Sequence, residues 1–133
     1  MEAPNKKYKI LIVEDDHQLA ELTKINFPQE HFSVRTSYDG ADALEEVGKE
    51  RPDLMVLDVM MPGMNGWDVL LKLKSNPQTS AIPVIMCTAK DGLSDVEKSF
   101  NYGAQAYVIK PVIFTKLLNK IAVILDIEKL IKS

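Results

Sequence analysis

The sequence predicts a doubly wound α/β domain: five parallel strands in the order 2-1-3-4-5, with helices on both faces. Three observations carry that prediction. Strand-like and helix-like segments alternate five times along 133 residues, the pattern of repeated βαβ units with right-handed crossovers. Three of the strand-like runs are apolar throughout and so belong in the sheet centre, whereas the second alternates and belongs at an edge. Acidic residues end two of the central runs. In this strand order that places them at the switch point between strands 1 and 3, where open α/β sheets bind ligands.

Tyr8–Val13 reads as the first strand, and residues 17–27 as a helix with Leu19, Leu22 and Ile25 on its inward face. Phe32-Ser33-Val34-Arg35-Thr36 alternates apolar and polar, as a half-buried edge strand does. Residues 40–49 give a helix with Ala43, Leu44 and Val47 inward. Leu54–Leu57 is the third strand, set off by Pro52 and by Pro62-Gly63. Asn65 is positioned to cap a third helix with Val69, Leu70 and Leu73 inward, and Trp67 reads as a partly exposed packing residue on it. Ile82–Cys87 is the fourth strand. Ser94-Asp95-Val96-Glu97 has the form of a capping box in a fourth helix, with Leu93, Val96 and Phe100 as its apolar face and Gly103 as its stop. Ala106–Ile109 is the fifth strand, and residues 112–131 read as one long last helix.

The length suits a single domain, 1–133, with a core over about 8–125 and residues 126–133 as a helical extension or linker. One cysteine, Cys87, excludes an internal disulfide and fits a reducing cytoplasm. Its neighbours Val84-Ile85-Met86 place it in a strand, as a buried apolar thiol. A net charge of −3 without a basic cluster gives no support for nucleic-acid binding. No apolar run approaches the ~18 residues of a membrane span and no signal peptide opens the chain, so a cytoplasmic location is expected.

The chemistry gathers at strand ends. Glu14-Asp15-Asp16 follow Ile10-Leu11-Ile12-Val13, Asp58 ends Leu54-Met55-Val56-Leu57, and Lys110 ends Tyr107-Val108-Ile109. Clustered carboxylates repel, and a divalent cation relieves that repulsion. Few, hard oxygen donors suit Mg²⁺, and neither His17 nor His31 is placed to argue for zinc. Glu14, Asp15 and Asp58 therefore read as a divalent site with Lys110 as a fixed positive charge. Asp16 reads as the N-cap of the first helix in preference to a ligand. A metal, a lysine and a free carboxylate together suit phosphoryl transfer, in which an ionised Asp can attack phosphorus to form an acyl phosphate. Thr88, just past the fourth strand, adds a hydroxyl donor for the phosphoryl oxygens.

Four segments carry a resemblance: Val13-Glu14-Asp15-Asp16, Leu57-Asp58-Val59-Met60-Met61-Pro62-Gly63-Met64-Asn65-Gly66, Met86-Cys87-Thr88-Ala89 and Tyr107-Val108-Ile109-Lys110-Pro111. Together, in this order and at these intervals, the chain resembles the receiver domain of two-component response regulators over about residues 8–125. The resemblance implies the flavodoxin-like fold of chemotaxis regulators. It implies Asp58 as phosphoacceptor and Glu14 and Asp15 as the acidic pair that binds Mg²⁺, with Mn²⁺ able to replace it. It further implies the backbone carbonyl of Met60 as a ligand, Thr88 and Lys110 on the phosphoryl group, and Tyr107 as an aromatic switch residue, with ordinary edge-strand packing as the alternative for Tyr107. The Lys110–Pro111 bond would be cis. Side chains at Met60 and Lys90 would tune dephosphorylation.

The partners so implied are a sensor histidine kinase or a histidine phosphotransfer protein, and downstream a protein target or a separate effector domain. The domain would catalyse only its own phosphorylation and dephosphorylation. It would act as a monomer or a phosphorylation-dependent dimer, signalling from the face of helix 4, strand 5 and helix 5. A degenerate receiver that binds partners without phosphate is the alternative, although acceptor, Thr and Lys are all present. A flavodoxin would need a phosphate loop where this chain has three acids. A haloacid-dehalogenase-type phosphatase would need a second Asp where Met60 stands. The apolar stripe Ile124, Ile127, Leu130 and Ile131 suggests a last helix that continues beyond the core to meet another chain or domain.

Overall fold

The computed structural model describes residues 6–89 and 94–131, with Leu93 described through its backbone. Five strands, β1 (Tyr8–Val13), β2 (Phe32–Ser37), β3 (Leu54–Asp58), β4 (Val84–Thr88) and β5 (Ala106–Ile109), form one parallel sheet in the order β2-β1-β3-β4-β5. Helices α1 (His17–Ile25), α2 (Gly40–Lys49), α3 (Gly66–Ser75), α4 (Leu93–Asn101), α5 (Phe114–Leu125) and α6 (Glu128–Ile131) connect and follow the strands. Alternate residues of the central strands feed two cores. Leu11, Met55, Leu57 and Met86 pack under α2 and α3. Ile10, Leu54, Val56 and Ile85 pack with Leu117 and Ile121 of α5. β3 and β4 are buried at every position, which explains why their sequences lack polar alternation.

Several elements begin or end differently from their sequence signals. β4 starts at Val84 instead of Ile82, because the Ile82 N–H is spent in a turn on the Thr79 carbonyl and Pro83 has no N–H. It runs on to Thr88, whose ladder partner is Ile109. α1 buries Ala20 in place of the expected Leu19, Leu22 and Ile25, which are exposed. Ala20 is buried within the helix, and Phe27, just past its C-cap, is buried in the α5-side core. The periodicity marked a helix, but the small side chain decided which face could approach.

Trp67 is buried at 9% exposure inside the α3 core, more deeply than its sequence context suggests. Ser94 stands inside α4 and not at its N-cap, since the helix already starts at Leu93. Phe100, expected inward, is half exposed. Gly103 ends the segment after α4 at φ +99°, the left-handed backbone that favours glycine.

The last helix is not continuous. Asp126 takes a left-handed conformation at φ 58°, ψ 48°, ends α5, and turns the chain into the short α6. Ile127 is thereby folded into the α5-side core at 4% exposure, with Ile124 and Ile131 partly buried against the same cluster. Of the stripe expected to meet another chain, only Leu130 remains largely exposed. No helix among the described residues is long and apolar enough to cross a membrane.

Candidate functional site

The carboxyl ends of β1, β3, β4 and β5 converge, because parallel strands all end on the same edge. The ladder continues one residue past β1, β3 and β5. Glu14 N–H donates to Ser37 O at 3.0 Å, Val59 N–H to Cys87 O at 3.1 Å, and Lys110 N–H to Thr88 O at 2.8 Å. Residues just beyond the strands are thus held as firmly as the sheet itself.

Asp58 is nearly fully buried. Its Oδ1 accepts from the Met60 N–H at 3.2 Å and pairs with Lys110 Nζ at 2.6 Å. Its Oδ2 is buried without a hydrogen-bond partner among the described residues. Glu14 lies beside it, 3.8 Å from Lys110 Nζ, and accepts from the Asp16 N–H at 3.1 Å. Oxygen atoms of Glu14, Asp15 and Asp58 all lie within 4.8 Å of one another. Burial pushes the Glu14 carboxyl up to about 7; the Asp16 N–H opposes the rise, the Asp58 charge adds to it and Lys110 opposes it. Burial alone would lower the Lys110 ammonium, but the hydrogen bond and charge of Asp58, with the charge of Glu14, leave it raised. Lys110 is therefore a firm cation beside an incompletely neutralised acid cluster. Asp16 caps α1, accepting from Leu19 N–H at 3.1 Å.

α3 secures the other side of Asp58. Asn65 and Asp68 form a reciprocal capping box, and the Gly66 N–H donates to the Val59 carbonyl at 3.0 Å. A Cβ on Gly66 would collide with the Asp58 carbonyl and lie 2.9 Å from Val59 Cα. Only glycine lets the helix start so close to the strand end. The Met60 side chain is 70% exposed beside the pocket. A recess of about 50 Å³ opens next to Asp58 on the α1 side, bordered by Glu14, Leu19, Thr23, Cys87 and Val112. Cys87 sits opposite Asp58 in the ladder. Burial, foremost, pushes its thiol up to about 12, so it remains a protonated, apolar neighbour.

Thr88 is completely buried, and its Oγ1 also lacks a hydrogen-bond partner among the described residues. Tyr107 does not meet the groups around Asp58. It is half-buried, two ladder positions from the Thr88–Ile109 pair, on the α3 side of the sheet. Its ring packs edge-on against Phe100 at 5.8 Å, and Lys120 Nζ lies 5.7 Å from its centroid. The Lys110–Pro111 bond is cis. Lys90 lies outside the described residues. The sequence did not signal two contacts near this edge: His17 stacked on Tyr38 at 3.7 Å, and Lys98 set against Trp67 and Tyr102. The His17–Tyr38 and Lys98–Trp67 contacts join side chains distant in sequence, which no local pattern encodes; Tyr102 is one helical turn from Lys98.

The fit to a divalent cation is good on chemical grounds. Three carboxylates supply hard oxygen donors within reach of one point, burial chiefly raises the Glu14 carboxyl toward its protonated form, and one buried carboxylate oxygen has no hydrogen-bond partner among the described residues.

Known proteins share the fold. A family profile described as the response regulator receiver domain matches residues 10–122. The response regulator ArlR of Staphylococcus aureus is 37% identical over 117 residues, covering 88% of this chain and 52% of ArlR. The chain thus spans about half the length of that relative. Among solved structures, the signal receiver domain of a signal transduction histidine kinase from Syntrophus aciditrophicus is similar at a TM-score of 0.81 and 32% identity, covering 90% of each chain. A CheY-like response regulator receiver domain protein from Methanospirillum hungatei JF-1 gives 0.82 and 31%, covering 91% of this chain and 95% of its own. A converging acidic edge, an order β2-β1-β3-β4-β5 and a profile match across most of the chain together establish that this protein belongs to the response regulator receiver domain family.

Proposed function

We propose that this domain, acting as one unit over residues 1–133, receives a phosphoryl group on Asp58 from a phosphohistidine. The donor would be a sensor histidine kinase or a histidine phosphotransfer protein in the cytoplasm. The observation that carries the proposal is the state of Asp58: one carboxylate oxygen is fixed by Lys110 and the Met60 N–H, while the other is buried and has no hydrogen-bond partner among the described residues. A carboxylate held in one orientation with a free oxygen is prepared for attack.

In the reaction, an Asp58 oxygen forms a bond to phosphorus as the donor's P–N bond breaks. The leaving imidazole retains the bonding electron pair and takes up a proton from solvent. Glu14, Asp15 and Asp58, with the Met60 carbonyl, would hold Mg²⁺, or Mn²⁺ in its place. When bound, the cation offsets charge on the phosphoryl oxygens. Lys110 contributes a second positive charge from its place at 2.6 Å from Asp58. The unpartnered Thr88 hydroxyl is a donor without an acceptor, and a new phosphoryl oxygen would supply one. Movement of Thr88 toward it would open space on the face it shares with Tyr107. Tyr107 would then turn inward and bias a two-state equilibrium read on the α4–β5–α5 face by a protein target or an effector domain.

Incubation of the chain with acetyl phosphate and Mg²⁺, followed by intact mass spectrometry, tests this. One acid-labile phosphoryl group is expected in the wild type and none in Asp58→Asn. Equal uptake by Asp58→Asn at that site would remove Asp58 as acceptor. No uptake in either would leave a phosphorylation-independent binding module.

A further inference from the structure

We propose that Lys98 clasps α4 to α3 by setting its ammonium against the paired rings of Trp67 and Tyr102, and that this clasp sets how readily the domain switches. The inference rests on the receiver reading of Asp58 and adds a restraint specific to this chain.

Lys98 Nζ lies 4.8 Å from the centroid of the Trp67 ring and 5.4 Å from that of Tyr102. The two rings meet edge-on at 5.8 Å and 80°. Trp67 provides the fixed half. It is buried in α3, one residue after Gly66, whose backbone lies against Asp58 and Val59. Tyr102 follows α4 directly and is partly buried against the same core. A cation near an indole face, inside a partly desolvated notch, is attracted by the ring quadrupole.

The clasp matters because the described residues of α4 bury little side-chain surface of their own. Among its described residues Ser99 alone is buried, and the Ser99 hydroxyl donates within the helix to Asp95 O at 2.8 Å. Phe100 touches Tyr107 edge-on but is half exposed. Farther along, Gly103 lies close to the stem of Lys74, whose ammonium donates to the carbonyls of Ser80 and Ile82. A continuous series of contacts thus runs from the Asp58 backbone through Gly66 and Trp67 to α4. If α4 must shift when Tyr107 turns, the Lys98 contact opposes that shift, and its loss should favour the switched arrangement by roughly two- to fivefold.

The test compares the wild-type chain with Lys98→Met, which keeps the aliphatic stem, and Lys98→Arg, which keeps a cation over the rings. Amide hydrogen exchange without phosphate should be two- to fivefold faster across α4 in Lys98→Met, unchanged in α3, and near wild type in Lys98→Arg. Phosphorylation by acetyl phosphate should be faster by the same factor in Lys98→Met alone. Unchanged α4 exchange in Lys98→Met would overturn the clasp, whatever happens at Asp58. Faster exchange without faster phosphorylation would overturn its coupling to the switch. Failure of all three proteins to take up a phosphoryl group would overturn the acceptor reading and the coupling together, while exchange would still decide the clasp.

Discussion

α3 and α4 follow adjacent, fully buried strands and are nearly the same length, yet they are attached in different ways. α3 buries Gly66, Trp67, Val69, Leu70 and Leu73 and begins with a reciprocal capping box. Among the described residues of α4, only Ser99 is buried; Phe100 meets Tyr107 edge-on and Lys98 lies against Trp67. Apolar area removed from water is the main source of helix attachment. α3 is therefore a rigid support for the Asp58 backbone, whereas α4 is held weakly enough to move. Under the proposed mechanism the receiving residue needs the first property and the responding element needs the second.

The sharpest way to break this contrast is a pair of truncations. Leu70→Ala should cost about 3 kcal/mol, because it removes a fully buried side chain from a core that cannot collapse around the gap. Phe100→Ala should cost less than about 1 kcal/mol. Urea unfolding measures both, and equal losses would mean that α4 is as firmly packed as α3.

A second measurement concerns the acids that the α3 end supports. Glu14 rises from an ordinary value of 4.5 to about 7 in the folded protein, chiefly through burial. Between those values the native state retains a proton that the unfolded chain has released. The metal-free protein therefore loses stability as pH rises through that window, by roughly 2 kcal/mol. Thermal melts in chelator from pH 5 to 8 should show this decline in the wild type and a flatter profile in Glu14→Gln. Parallel profiles would show that Glu14 is not the group responsible. Added Mg²⁺ should stabilise the wild type most above pH 7, where the carboxylate is free of its proton.

The smallest effect compares the helix starts. Asn65→Ala should destabilise by about 1 kcal/mol, since it removes the acceptor for the Asp68 N–H. Ser94→Ala should change stability by no more than about 0.5 kcal/mol, because Ser94 is exposed within its helix. A large loss at Ser94 would mean that α4 depends on its first turn after all.

Much of the site was legible because its residues sit at strand ends, and strand ends are marked by local signals. Asp58, Glu14 and Lys110 each terminate an apolar run, and a parallel sheet brings such termini to one edge whatever the details of packing. Asp16 and Asn65 were legible as caps for the same reason: a cap bonds to amides two or three residues away. Tyr107 was placed on β5, but whether its ring faces Thr88 or Phe100 depends on how α4 lies, which no local pattern specifies.

The sequence by itself determined the alternation of elements, the strand order and the acidic edge, because these follow from periodicity and chain connectivity. Only the tertiary structure decided which helical faces are buried. Ala20 displaced the three larger residues of α1 since a small side chain permits closer approach to the sheet. Trp67 went inward because Gly66 draws α3 against β3. The tail folded back because Asp126 adopts a left-handed backbone, which an L-residue takes up only when the packing gained, here by Ile127, outweighs its cost. The meeting of Lys98 with Trp67 and Tyr102 belongs to the same class. Trp67 lies about thirty positions before Lys98 and Tyr102, and only the packing of one helix beside another brings it to them.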